Sequence, residues 1–179
     1  ATDDYVEHLA MLLKTTLNTQ SRIYVEYSNE VWNPMFTQFG INVDRAVEEV
    51  RRKPDSALAY DGKKDKYLLA FRRVAQRGKD ISDIFRRVFG DDAMMTRIRP
   101  IFSGQVVRPH LAEMGLDFIA NRYGPPSNYF YAFAGAPYFN LGKRQTEEGL
   151  NPGDVLDAFE QSVRDIPAIN LIENNLALA

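Results

Sequence analysis

Ile23-Tyr24-Val25-Glu26-Tyr27-Ser28-Asn29-Glu30-Val31-Trp32-Asn33-Pro34 is the stretch on which the fold turns. Residues 23–27 are β-branched, aromatic and few, which predicts a short strand buried on both faces. Asn33-Pro34 ends the conformation of Ser28 to Trp32, because a residue before proline is pushed out of the helical region. Upstream, Tyr5, Val6, Leu9, Leu12, Leu13 and Leu17 recur at helical spacing over residues 3–18, with Thr2 or Asp3 available as cap. Downstream, a second helix runs from about Met35 to Arg52, with an interruption expected at Gly40. Arg51, Arg52 and Lys53 suit its C-terminus, and Pro54 stops it.

Farther out, residues 55–92 are polar with a helical period. One stripe holds Tyr67, Leu68, Phe71, Val74 and Ala75; another holds Ile81, Ile84, Phe85, Val88 and Phe89, and Gly78 is expected to separate them. A strand is predicted over Thr96–Phe102, with Ser103-Gly104-Gln105 as its exit. Next come a helix over about Val106–Asn121 and a strand over Tyr129–Ala134. The remainder predicts a helix over Asp154–Asp165 and a last helix over Pro167–Leu178. The strand starts at 97 and 129 are separated by the length of one strand–helix–strand unit, roughly 30 residues. Strands alternating with helices predict an α/β fold with a parallel sheet. A complete (β/α)₈ barrel takes about 250 residues, so this chain could supply only part of one.

Composition narrows the function. Lys and Arg number 22 against 24 Asp and Glu, which leaves no basic field for a nucleic acid. The longest nearly apolar run, Phe130 to Phe139, is roughly half of what a spanning helix needs, so no membrane role is expected. The absence of cysteine removes thiolate metal sites and Cys nucleophiles. His8 and His110 lie far apart, so no His-based metal motif is visible and neither a metal nor an organic cofactor is implied. The acidic opening, Ala1-Thr2-Asp3-Asp4-Tyr5, does not resemble a signal peptide.

Chemistry concentrates after the first strand. In an α/β barrel, functional groups sit where strands end at their C-terminal face. A Glu placed there acts as a general acid toward a glycosidic oxygen when its neighbours tune it. An adjacent Asn amide holds a sugar hydroxyl, and an indole stacks on a sugar face. At Asn29-Glu30 the sequence resembles the clan A glycoside hydrolases, retaining (β/α)₈-barrel glycosidases. In that group an Asn-Glu pair at the end of the fourth strand carries the acid/base, and a Glu at the end of the seventh is the nucleophile. The string Tyr24–Asn33 looks more specifically like bacterial barrel proteins labelled cellulose-binding or glycosidase-like. The segments Arg97–Gln105 and Tyr129–Tyr138 are similar to the later strands of those proteins.

The resemblance implies that residues 1–179 are a single partial-barrel domain, a fragment of a longer glycosidase-like barrel, spanning its fourth to sixth strands with flanking and inserted helices. It maps Glu30 to the acid/base and Asn29 to its substrate-binding neighbour. Trp32, Asn33, Gln105 and Tyr138 join Asn29 as candidate substrate-binding residues. The implied partner is an oligo- or polysaccharide, in an extracellular or cell-surface setting, together with the remainder of the barrel. Retaining hydrolysis needs two carboxyls roughly 5–5.5 Å apart and inversion roughly 6.5–9.5 Å. Glu26, Asp117, Glu147, Glu148 and Asp154 are the candidates here, and none sits at a strand end as Glu30 does. The nucleophile strand is expected after the last predicted helix, beyond Ala179, so the expectation is half an active site.

Several residues carry two readings. Ser28-Asn29-Glu30 either builds the site or caps the next helix. Trp32 stacks on a sugar or fills the core. Gln105 faces substrate or caps the helix after it, and Tyr131 and Tyr138 line a sugar site or only pack. Arg97 and Arg99 share one strand face and need a carboxylate partner, for which Glu26 is the candidate. A non-catalytic carbohydrate-binding protein using Asn29, Trp32 and Asn33 is the alternative to an enzyme; a helical interaction domain with no site is a third reading.

Overall fold

The structure, a computed structural model, describes residues 1–105, 108–136 and 148–164. Its elements in order are α1 (Asp3–Thr16), β1 (Ile23–Glu26), α2 (Thr37–Arg52), α3 (Lys66–Phe89), β2 (Ile98–Gln105), α4 (Pro109–Tyr123), β3 (Ala132–Ala136) and α5 (Pro152–Arg164). The helix predicted over 167–178 lies outside the described residues.

Local chemistry sets the helix ends. The Thr2 hydroxyl accepts the Tyr5 N–H at 3.3 Å, and Asp3 and Asp4 occupy the first turn of α1. Asp65 caps α3 by accepting from Tyr67 N and Leu68 N at 3.1 and 2.8 Å, and Gly90, at φ +91°, closes it. Gly40 does not interrupt α2, and Gly78 does not divide α3, which runs unbroken for 24 residues. A Cβ at Gly78 would stand 2.9 Å from the Phe130 ring. The glycine is there to let that buried ring approach the helix, a tertiary demand that outweighs its roughly 1 kcal/mol propensity cost.

The chain is α/β, with one parallel sheet in the order β1-β2-β3. Ile23 pairs with Ile98, and Ile101 pairs with Ala132. β2 runs on to Gln105, past its expected end, because β3 supplies partners as far as Ala136. β3 starts later than expected: Pro126–Asn128 is a 3₁₀ turn, and its Pro126 carbonyl takes the N–H groups of Tyr129 and Phe130.

Helix α3 packs against α1, α2, α4 and β2, and α4 against β2. Between helices and sheet lie Leu69, Phe85, Ile98 and Phe118, each almost wholly buried and each worth about 1.5–3 kcal/mol in transfer terms. The sheet alternates accordingly. Ile98, Pro100, Phe102 and Gly104 of β2 are buried, whereas Arg99, Ile101, Ser103 and Gln105 are only half-buried. Strand β1 corrects the expectation of burial on both faces, since Ile23 is buried but Tyr24 is 57% exposed and Glu26 is exposed. The reason is that the helices cover the Ile23–Ile98–Phe102 face, while the face bearing Tyr24, Glu26 and Ser103 stays open among the described residues.

Candidate active site

Parallel strands place their C-terminal ends together. The register Glu26–Ile101 and Gln105–Ala136 therefore puts the loop after β1 and the end of β2 at one edge of the sheet. Glu30 and Gln105 both belong to that edge. Tyr138 lies outside the described residues.

The loop is built by local conformation and two anchors. Ser28 and Glu30 adopt φ +63° and +43°, the left-handed region that non-glycine residues seldom enter. Such outliers persist only where the surroundings hold them. Val31 is 2% and Trp32 7% exposed, and both belong to the core between α2, α3 and α4. Trp32 is thereby corrected as a stacking platform: its ring is core, pinning the loop from below. Its indole N–H has no partner among the described residues.

Past the anchors the chain turns on Asn33. The Glu30 carbonyl accepts Asn33 N–H at 2.9 Å, and the Asn33 carbonyl accepts Phe36 N–H at 3.1 Å. Asn33 Oδ1 accepts Met35 N–H at 3.0 Å, an Asx turn around Pro34. Asn33 Nδ2 donates to Glu30 Oε2 at 2.9 Å. Asn33 thus joins Glu30 within the loop, while Asn29 is exposed and Glu30 and Asn33 are half-buried. The capping alternative for Ser28-Asn29-Glu30 is not what the chain does. Helix α2 starts after Phe36 with no side-chain cap, because the Asn33 turn separates the triplet from the helix.

Gln105 is half-buried at the end of β2; its backbone carbonyl, and not its side chain, receives Arg108 N–H at 3.1 Å. Helix α4 begins without a side-chain cap. His110 is exposed in the first turn of α4.

The second-carboxylate candidates separate by position. Asp154 sits in the first turn of α5 in a capping box: Asn151 Oδ1 accepts its N–H at 3.0 Å, and its Oδ2 accepts the Asn151 N–H at 3.1 Å. Asp117 is exposed on α4 and Glu148 is exposed in the turn before α5, while Glu147 lies outside the described residues. Glu26 stands on the open sheet face, where its Oε1 accepts from Ser103 Oγ at 2.6 Å. This corrects the expected pairing of Glu26 with Arg97 and Arg99. Glu26 stands opposite Ile101, with Arg99 and Ser103 each two residues away along β2, and Arg99 is taken up by Tyr24, the residue opposite it. Arg99 donates to the Tyr24 hydroxyl at 2.7 Å and stacks over the Tyr131 ring at 4.3 Å. Arg97 reaches the carbonyls of Ser21 and Asn18. Tyr131, 41% exposed, meets Tyr24 edge-on at 6.3 Å, so its contacts are with this cluster.

The Asn33–Glu30 and Ser103–Glu26 contacts are not legible in the sequence. Asn33-Pro34 carries a turn signal that predicts the Asx turn, but only the folded loop brings the amide back to Glu30. Among the described residues, no group of His, Asp and Glu is placed to hold a metal ion, and no helix is long and apolar enough to cross a membrane. Comparison with known protein families, curated proteins and solved structures finds no match to this chain.

Proposed function

We propose that the chain is part of a (β/α)₈ barrel, covering its fourth to sixth strands, and that Glu30 is the acid/base of a retaining β-glycosidase site. The observation that carries the reading is the shared edge: Glu30, on a loop held in left-handed conformation, and Gln105 both lie at the C-terminal ends of neighbouring parallel strands. A parallel sheet with helices on one face and the other face uncovered among the described residues is compatible with a segment of such a barrel. Glu30 protonates the leaving glycosidic oxygen and later deprotonates the attacking water. The reading assigns the nucleophile to a strand outside residues 1–179, the substrate to the oligo- or polysaccharides, and the setting to the cell exterior.

The rival carbohydrate-binding reading relied on Asn29, Trp32 and Asn33. Trp32 is buried and the Asn33 side chain is engaged inside the loop, which leaves Asn29 exposed. These positions weaken that rival more than they weaken the acid/base role.

Glu30→Gln in the protein that carries this chain is the test. Turnover of glycosides with poor leaving groups falls about 10²–10⁴-fold. Activated aryl glycosides lose less in the glycosylation step, and glycan affinity is kept. A protein that hydrolyses no glycoside, yet binds glycans equally before and after the substitution, overturns the enzyme in favour of the binding module.

A further inference from the structure

Glu26 ends β1 on the uncovered face of the sheet and is exposed. Its Oε1 accepts the Ser103 hydroxyl at 2.6 Å. A serine hydroxyl carries one proton, and here it is given to Glu26. The pair is left with acceptors only, Glu26 Oε2 and the lone pairs of Ser103 Oγ. Among the described residues no lysine, arginine or histidine forms an ion pair with Glu26. Arg99, on the same face, is taken up by the Tyr24 hydroxyl and by the Tyr24 and Tyr131 rings. Two residues beyond Ser103, the side-chain amide of Gln105 engages nothing among the described residues. β3 flanks this row with methyl groups: Ala132 stands opposite Ile101, and the exposed Ala134 stands opposite Ser103. A carboxylate, a hydroxyl oxygen and an amide thus line open ground at the sheet edge to which Glu30 belongs.

We propose that the Glu26–Ser103 pair is a substrate-binding subsite that selects neutral, hydroxyl-rich glycans and rejects uronic acid chains. This rests on the glycosidase reading of Glu30 above. Glu26 Oε2 and Ser103 Oγ need protons from the ligand, and sugar hydroxyls supply them. Gln105 both donates and accepts, so it takes a further hydroxyl along the row. The charge of Glu26 adds the selection. A uronate unit bound over the row sets a second carboxylate within a screening length, roughly 8–10 Å, of one that no cation pairs with. Such like-charge juxtaposition costs binding. Glu26 touches substrate in this role without exchanging a proton or forming a bond, in contrast to the second-carboxylate role for which it was a candidate.

The test uses the protein that carries this chain. The probes are β-linked glucose, mannose and galactose hexasaccharides and their C6-oxidised uronate forms, followed by calorimetric titration and by turnover. The neutral form of the accepted sugar binds at least about tenfold more tightly than its uronate form. Glu26→Gln keeps the shape and removes the charge. Neutral affinity then falls about tenfold, the low end for a hydrogen bond to a charged group, and the gap to the uronate closes to about twofold. In turnover the change lies in KM, with kcat kept within about twofold. Ser103→Ala keeps the charge, so neutral affinity falls about 2–10-fold while the uronate stays disfavoured. Neutral affinity unchanged in Glu26→Gln, or a uronate gap that survives it, overturns the inference and leaves the glycosidase reading intact. So does a loss of kcat on activated aryl glycosides, which makes Glu26 a catalytic carboxylate. Failure to bind any of the probes also overturns the subsite. Glu26-dependent glycan binding in a protein that hydrolyses no glycoside overturns the glycosidase reading and leaves the subsite standing.

Discussion

Replacing Asp61 with Asn removes the charge that balances a guanidinium inside the helical layer. The Arg72 side chain, on α3, is 5% exposed, against 22% for that of Asp61. Arg72 donates to both carboxylate oxygens of Asp61 at 2.9 and 2.6 Å and to the Leu58 carbonyl at 2.7 Å, and it stacks on the Tyr60 ring at 4.7 Å. Asn keeps the shape but leaves a buried cation among neutral acceptors, and breaking a buried pair in this way costs about 3–5 kcal/mol. Asp61 retains some water, so the low end, about 3 kcal/mol, is expected. In a chain of this size each kcal/mol moves the melting midpoint by about 2–4 °C, which predicts a fall of about 6–12 °C. The same guanidinium holds the Asp61 carboxyl well below the usual carboxylate range. The folded state therefore binds that proton more weakly than the unfolded chain does. The stabilisation is complete above about pH 5 and drains away progressively as pH falls through the unfolded carboxylate's range near 4 and below it. Urea melts of wild type and Asp61→Asn, near neutrality and at about pH 3, check both parts, since the difference between the proteins shrinks in acid. Arg72→Met, which removes the buried charge itself, is expected to cost less than Asp61→Asn. A loss under about 1 kcal/mol near neutrality, or one that does not shrink in acid, refutes the argument.

The remaining predictions concern the loop and the glycines. Trp32 is the single tryptophan, so its fluorescence should be blue-shifted and poorly quenched by iodide, and Trp32→Ala should cost about 3–5 kcal/mol by chemical denaturation; red emission with free quenching would remove the anchor. Gly78→Ala drives a methyl into the Phe130 ring and should destabilise by about 1–3 kcal/mol. Gly40→Ala, where nothing lies within 4 Å, should instead stabilise by about 0.4–1 kcal/mol. Equal effects from the two substitutions in thermal melts would show that propensity, and not packing, sets the cost.

Local features were legible in the sequence. The alternating strands and helices, the Thr2 cap, and the placement of Asn29-Glu30 after one strand and of Gln105 at the end of another come from spacing, because period and capping act within a few residues. The parallel pairing of neighbouring strands comes from crossover rules applied to that order, and the sheet has it. Tertiary structure decided whatever depended on residues far apart in the chain. Gly78 reads as a break in the sequence because its propensity cost is local, yet the ring of Phe130 packs where its Cβ would stand. The apolar composition of β1 implies burial on both faces, but burial depends on where helices are available to cover it, and they cover one face. Register sets Arg99 opposite Tyr24, whose hydroxyl it reaches, and Ser103 is left to Glu26, because a parallel pair fixes which side chains stand opposite each other and composition does not. In the same way Trp32 became core and Asn33 turned to Glu30: left-handed backbone at Ser28 and Glu30 folds the loop onto itself, and the burial of Val31 and Trp32 holds it there.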